Sequence, residues 1–70
     1  MNSNLLKGVI VRNGDTQENL AEVLNLQTSG VNARINGKID FRASEIVKIM
    51  KRYHLTNDEA AEIFFDAVAS

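Results

Sequence analysis

The stretch QTSGVNARING, residues 27–37, carries the side chains best suited to chemistry at short range. Five of them are amides or hydroxyls that both donate and accept hydrogen bonds: Gln27, Thr28, Ser29, Asn32 and Asn36. Val31 and Ile35 stand four residues apart, which is the spacing of one helix face. The stretch therefore predicts a helix made of poor helix formers, in which Gly30 alone costs about 1 kcal/mol relative to Ala. Such a helix gives up stability and presents a slim polar face.

No catalytic set of residues accompanies this stretch. The chain has no cysteine and a single histidine, His54, without an evident partner. A nucleophile, a base and an acid are not visible together, and the usual Cys and His ligands of zinc are missing. We expect no enzyme activity, no cofactor and no metal site, and we interpret His54 as a surface or capping residue.

Length and composition predict one small domain over residues 1–70. The 44% apolar and 24% charged content is typical of a soluble globular domain. No apolar run approaches the roughly 20 residues of a membrane span, and the N-terminus lacks the pattern of a signal peptide. We therefore expect a cytoplasmic protein, stabilised by helix packing and self-association.

Charge is segregated along the chain, although the net charge is only −1. All eight Lys and Arg lie within residues 1–53, whereas residues 54–70 carry four acidic residues and no basic one. The local field matters more to a charged partner than the total charge does. Chance clustering on an ordinary solvated surface is the alternative interpretation.

Five segments with apolar residues three and four apart predict a compact all-α bundle. The first runs from about Asn4 to Arg12, with Leu5, Leu6, Val9 and Ile10 on one side, and ends at Asn13-Gly14. The next two form a helix-turn-helix over about 16–36, and the last two occupy about 42–69. Apolar residues at helical spacing mark the fourth helix: Ala43, Ile46, Val47, Met50 and Tyr53. Thr56 and Glu59 form a capping box at the start of the fifth.

The two short helices on either side of Asn25-Leu26 are the most informative pattern. Helices that cross steeply need a small residue at their closest approach, and Ala21 provides it. The turn after the first of them needs a residue that tolerates positive φ, for which Asn is the commonest alternative to Gly. Leu26, Val31 and Ile35 then form the apolar side of the second helix.

The stretch TQENLAEVLNLQTSGVNARING resembles the helix-turn-helix of the phage lambda repressor and Cro type, the Xre-like family of small regulators. The matching positions are Gln17, Leu20-Ala21, Asn25-Leu26, Val31 and Asn36-Gly37. The later stretch FRASEIVKIMKRYHLTNDEAAEIFF is similar to the last two helices of short Cro-like regulators in phages of Gram-positive bacteria. The resemblance covers nearly the whole chain and implies a compact five-helix lambda-repressor-like DNA-binding domain.

In such a unit the N-terminal part of the second helix lies in the major groove of DNA. Its short polar side chains then meet base edges, where Asn is a bidentate partner of adenine and Ser or Thr suits several bases. The predicted base contacts are Gln27, Thr28, Ser29, Asn32 and Ala33. Ala33 would offer only a methyl group, and one of Thr28 and Ser29 is also expected to cap the helix.

The predicted phosphate contacts are Gln17, Arg34, Asn36, Lys38 and Arg42. Gln17 stands at a helix start, where free N–H groups and the dipole attract an anion. Asn36, Lys38 and Arg42 follow the recognition helix and are placed to hold the DNA backbone. Arg34 faces either a phosphate or solvent, and both remain open. The basic residues of the fourth helix are expected on its solvated face: Lys48, Lys51 and Arg52.

The end of the chain predicts self-association. Three apolar residues in a row cannot all face one small core, so Phe65 or Ile63 is expected to be partly exposed unless a partner covers it. A C2 homodimer through Ile63, Phe64, Phe65 and Val68 would place recognition helices roughly 34 Å apart on a palindromic double-stranded DNA operator. Alternatively, the fifth helix packs on the first and fourth and buries all of these residues.

Two functions remain open. The first is a sequence-specific transcriptional regulator, such as a Cro-like phage or prophage repressor. The second is a protein-interaction module on the same fold, an antirepressor or antitoxin whose C-terminal helix binds a protein and whose DNA binding is weak or lost. Thr28, Ser29 and Asn32 favour the first, while the acidic last helix keeps the second open. With nothing after Ser70 for an effector domain, we expect control through concentration, operator competition or a protein partner.

Overall fold

The computed structural model describes residues 1–65, which form five α-helices and no strand. The helices are α1 (Ser3–Arg12), α2 (Gln17–Leu24), α3 (Thr28–Ile35), α4 (Ala43–Tyr53) and α5 (Asn57–Phe64). The predicted all-α class with five helices is confirmed. Within this part of the chain, no helix has the length and apolar character needed to cross a membrane.

The ends of the first four helices are each followed by a residue with positive φ: Gly14, Asn25, Gly37 and His54. After Asn25, the Leu26 N–H donates to the Ala21 carbonyl at 2.9 Å, and after His54 the Leu55 N–H donates to the Met50 carbonyl at 2.9 Å. These Schellman-type closures satisfy carbonyls that have no partner within a helix. The helix ends predicted at Gly14, Asn25 and Gly37 are therefore confirmed, and His54 is an exposed capping residue.

The core lies between the inner faces of all five helices. α2 packs on α3 and α4, α1 packs on α3 and α5, and α4 packs on α5. The start of α1 also ties two other helices together, because the Ser3 hydroxyl donates to the Ile35 carbonyl and the Asn2 N–H donates to the Ile63 carbonyl at 2.7 Å. The buried core residues are Leu6, Val9, Ile10, Leu20, Ala21, Leu24, Val31, Ile35, Ile49, Tyr53 and Ile63.

Two features differ from the predictions. In α1, Leu5 is exposed rather than on the inner side. In α4, Ala43 and Val47 are exposed, because the helix turns Glu45, Ile49 and Tyr53 inward instead, each four residues from the next. α5 ends at Phe64, since the backbone at the next residue leaves the helical conformation (φ −121°, ψ 8°); the predicted continuation to about residue 69 lies outside the described residues.

Candidate nucleic-acid interface

Four polar side chains are exposed on α3 and its N-terminal flank: Gln27, Thr28, Ser29 and Asn32. We call them the α3 polar face. Gln27 precedes the helix with an extended backbone and makes no capping hydrogen bond through its side chain. The Thr28 and Ser29 hydroxyls have no hydrogen-bond partner within residues 1–65, so the expectation that one of them caps α3 is wrong. Asn32 makes one long contact, in which its Oδ1 accepts from Asn36 Nδ2 at 3.4 Å.

The opposite side of α3 anchors this face. Val31 and Ile35 are completely buried and Leu26 packs against the same core. Ala33, the fifth predicted base contact, is half-buried. Gly30 lies beneath the Arg34 side chain, because a Cβ atom at Gly30 would stand 3.4 Å from Arg34 Nη1. Its small size therefore accommodates a neighbour within the protein.

The position of Arg34 contradicts both predicted environments, a phosphate contact and solvent. Its side chain points inward, and the residue is only 8% exposed. Nε donates to Glu45 Oε1 at 3.0 Å, and Nη1 donates to the Gly30 carbonyl at 3.1 Å. The physical reason is the inward turn of Glu45 on α4, which provides a buried carboxylate that needs a cation. Arg34 is therefore not available to a phosphate in this conformation.

Glu45 is the partner that this arrangement depends on. Its Oε1 atom accepts the Arg42 N–H at 2.8 Å in addition to Arg34 Nε, so one oxygen joins α3 to the start of α4. Burial opposes the charge, but the Arg42 N–H and the Arg34 guanidinium outweigh it and hold the pKa of Glu45 below its ordinary value. The carboxylate is thus charged at neutral pH.

The other predicted phosphate contacts lie at the ends of helices. Gln17 is the first residue of α2 and is half-buried; the cap of that helix is the Thr16 hydroxyl, which accepts the Asn19 N–H at 3.1 Å. Asn36 is exposed at the end of α3 and meets Asn32. Lys38 is exposed in the α3–α4 connection, residues 36–42, and Arg42 is exposed at its end. The connection that follows α3 therefore carries two exposed cations, Lys38 within it and Arg42 at its end.

A second polar cluster was not predicted. Arg52 Nε and Tyr53 Oη both donate to Asp15 Oδ2, at 2.7 and 2.6 Å, and Arg52 Nη2 donates to Asp15 Oδ1 at 3.1 Å. The Arg52 bond lowers the pKa of Asp15 despite the opposing effect of burial, and the Tyr53 bond lowers it further. Arg52 is therefore paired, not simply solvated. The partners lie 37 and 38 residues apart, so no local pattern could have revealed them.

The four predicted dimer residues have different surroundings. Ile63 is buried in the core, which contradicts its assignment to an exposed interface, because α5 turns it toward the other helices. Phe64 is half-buried and packs edge-on against Phe41, with ring centroids 5.6 Å apart. Phe65 is 69% exposed, and Val68 lies outside the described residues.

Phe64 and Phe65 line an open groove of about 520 Å³, which we call the C-terminal groove. Its apolar lining comes from both ends of the described chain and from the α3–α4 region: Met1, Ile39, Phe41, Ile46, Phe64 and Phe65. Ile39 is 49% exposed. Ser3, Asn36 and Asp40 also line the groove, so its surface is mixed, with exposed apolar side chains at Ile39 and Phe65 next to the α3–α4 connection.

The part of the chain that the structure describes is thus a small helical bundle with a polar face on α3 and an open groove of mixed lining beside Phe64 and Phe65. Residues 2–67 match a family model described as "Protein of unknown function (DUF739)", and the chain belongs to that family. Comparison with curated proteins and with solved structures found no match to either.

Proposed function

We propose that the protein is a sequence-specific, double-stranded DNA-binding regulator of transcription with a lambda-repressor-like fold. The observation that carries the proposal is the α3 polar face. Thr28 and Ser29 have exposed hydroxyls without a partner in the described residues, on a helix whose other side is anchored by Val31 and Ile35. Polar groups in this state are ready to bond to a ligand without breaking bonds within the protein.

The dimensions of α3 suit the major groove. An α-helix with its side chains is about 10–12 Å in diameter, and the major groove is roughly 12 Å wide, so α3 can enter it. Short side chains allow the backbone of the helix to come close to the base edges. In this arrangement Asn32 bonds an adenine in a bidentate manner, and Thr28 and Ser29 donate to or accept from neighbouring bases. Gln27 reaches bases from the helix start, and Ala33 offers the exposed part of its methyl group.

Phosphate binding falls to Gln17, Asn36, Lys38 and Arg42, without Arg34. The N–H groups at the start of α2 lack helical acceptors, so Gln17 can place both its amide side chain and its backbone against a phosphate. Lys38 and Arg42 supply the positive charge. Two cations per chain neutralise few phosphates, so a single copy would bind DNA weakly.

A homodimer would compensate for the small number of cations per chain, because two copies on a palindrome double the phosphate contacts. The C-terminal groove is the surface that a second copy would cover, since Phe65 and Ile39 expose apolar area there. Such a two-fold dimer would carry two α3 helices, one for each half-site. Half-sites about 10 base pairs apart would then match the two helices.

The same groove supports a second candidate function, a protein-interaction module such as an antirepressor or antitoxin. The exposed Phe65 and Ile39 side chains at this groove suit a protein partner as well as a second copy. The acidic residues of α5, among them Asp58 and Glu62, would then select a partner with a basic surface. In that case the α3 polar face contributes nothing to binding.

Gel-shift selection from random duplexes at low salt tests the first function. The wild-type chain is expected to enrich a palindrome, and Asn32→Ala and Thr28→Ala are expected to relax the preference at one position of each half-site. Asn57→Ala, which removes an exposed amide from the start of α5, serves as the matched control and should enrich the wild-type sequence. If no sequence is enriched, the proposal fails; if both α3 variants keep full specificity, the assignment of the reading residues fails.

A further inference from the structure

We infer that Arg34 and Glu45 are positioning residues, which hold the first turn of α3 and the start of α4 in one arrangement before DNA binds. The inference rests on the proposed function, because it concerns how the reading surface keeps its shape. A continuous chain of hydrogen bonds carries it. Arg34 Nη1 donates to the Gly30 carbonyl at 3.1 Å, and Arg34 Nε donates to Glu45 Oε1 at 3.0 Å. That oxygen also accepts the Arg42 N–H at 2.8 Å.

This chain joins the two parts of the proposed interface. At one end, Gly30 directly follows Ser29 of the α3 polar face. At the other end, Arg42 closes the connection that carries Lys38. α3 packs chiefly on α1 and α2, so among the described residues the Arg34–Glu45 pair is the direct polar tie from α3 to α4. A change in this tie would move base-reading and phosphate-binding groups relative to each other.

Stability alone does not account for the pair. Both side chains are about nine-tenths buried, so both lose hydration, and replacing such a pair with apolar residues of similar size is often neutral or stabilising. An apolar pair lacks direction, however, because it cannot bond to the Gly30 carbonyl and the Arg42 N–H at fixed distances. The contribution of the pair is therefore its geometry.

Two variants separate geometry from stability. The double variant Arg34→Met with Glu45→Met removes both charges and all three bonds while filling the space. Its melting temperature is expected to stay within about 5 °C of wild type, whereas affinity for the selected duplex should fall by about tenfold or more. Glu45→Gln keeps the Oε1 acceptor but leaves Arg34 uncompensated. It should melt at a lower temperature than the double variant and yet bind DNA with nearly wild-type affinity when folded.

Affinity that simply follows melting temperature in the two variants would overturn the inference, as would wild-type affinity in the double variant. A measurement without DNA decides the same point independently. Hydrogen exchange of the Arg42 amide should be faster in the folded double variant and close to wild type in Glu45→Gln; unchanged exchange in the double variant would also overturn it. If the wild-type chain selects no DNA sequence, the proposed function fails, whereas the exchange result still reports on the tie between α3 and α4.

Discussion

The outer face of α3 and the contact between α3 and α4 are both polar, but their polar atoms have different surroundings. On the α3 polar face, the hydroxyls of Thr28 and Ser29 are exposed and have no partner within residues 1–65. At the α3–α4 contact, Arg34 and Glu45 are buried and bond to each other and to the backbone. Buried polar groups need hydrogen-bond partners within the chain, whereas exposed groups can exchange hydrogen bonds with water for hydrogen bonds with a ligand. The second region therefore holds α3 to α4, and the first is the region that we propose for binding.

Substitution of the buried Glu45 should lower the free energy of unfolding more than the other substitutions below. Glu45→Ala leaves the Arg34 charge buried without a partner, and we expect the free energy of unfolding to fall by about 3–5 kcal/mol. Urea unfolding followed by circular dichroism measures this loss. Glu22→Ala, which changes an exposed carboxylate of α2, is the control and should cost at most about 0.5 kcal/mol. Similar costs in the two variants would show that the buried pairing of Glu45 adds nothing beyond what an exposed carboxylate contributes.

Substitution of Asp15 should have an intermediate effect on the free energy of unfolding, and this effect should depend on pH. Because Arg52 and Tyr53 hold the pKa of Asp15 below its value in the unfolded chain, the carboxylate stabilises the fold above about pH 4 and loses that contribution as the pH falls. Since Arg52 is partly exposed, Asp15→Asn should cost about 1–2 kcal/mol at neutral pH. Urea unfolding at several pH values should show the difference from wild type shrinking in acid. A constant difference would contradict the ion pair, and Asp58→Asn on the exposed start of α5 provides the comparison.

Asn25 is an exposed polar residue that stabilises the fold through its backbone conformation. It adopts a left-handed conformation (φ 57°) at the end of α2. Asn25→Ala should therefore cost about 1 kcal/mol, while Asn25→Gly should leave stability at or above the wild-type value. Thermal unfolding of the two variants measures this. Equal stability of the Ala and Gly variants would show that the conformation imposes no strain.

Substitution of Lys38 should have the smallest effect, which we expect on DNA binding and not on stability. As a proposed phosphate contact it adds charge but no sequence information. Lys38→Ala should reduce the salt dependence of DNA binding by about one counterion per chain and keep the same preferred sequence. Lys48→Ala, an exposed cation of α4, should leave the salt dependence unchanged. A changed sequence preference in Lys38→Ala would instead identify Lys38 as a base-reading residue.

Local sequence signals predicted the helix ends and the apolar side of α3. Asn25 and Gly37 are examples, because the conformation they need depends on a few neighbouring residues. The orientation of Arg34 was not predictable in this way, since it depends on Glu45, eleven residues along the chain. The inner face of α4 was mispredicted for the same reason: apolar spacing favoured Val47, whereas the paired Glu45 occupies a core-facing position. A buried charge is invisible to a hydrophobic pattern until its partner is known.

DNA contact by the α3 polar face can be mapped residue by residue with ¹⁵N–¹H NMR. The labelled protein would be titrated with the duplex obtained by selection and with a scrambled duplex of equal length. The proposal predicts that the selected duplex causes the largest shift changes at the amides of Thr28, Ser29 and Asn32, with smaller changes at Gln17 and Lys38. Changes confined to the C-terminal groove around Ile39 and Phe65, or equal responses to both duplexes, would contradict it.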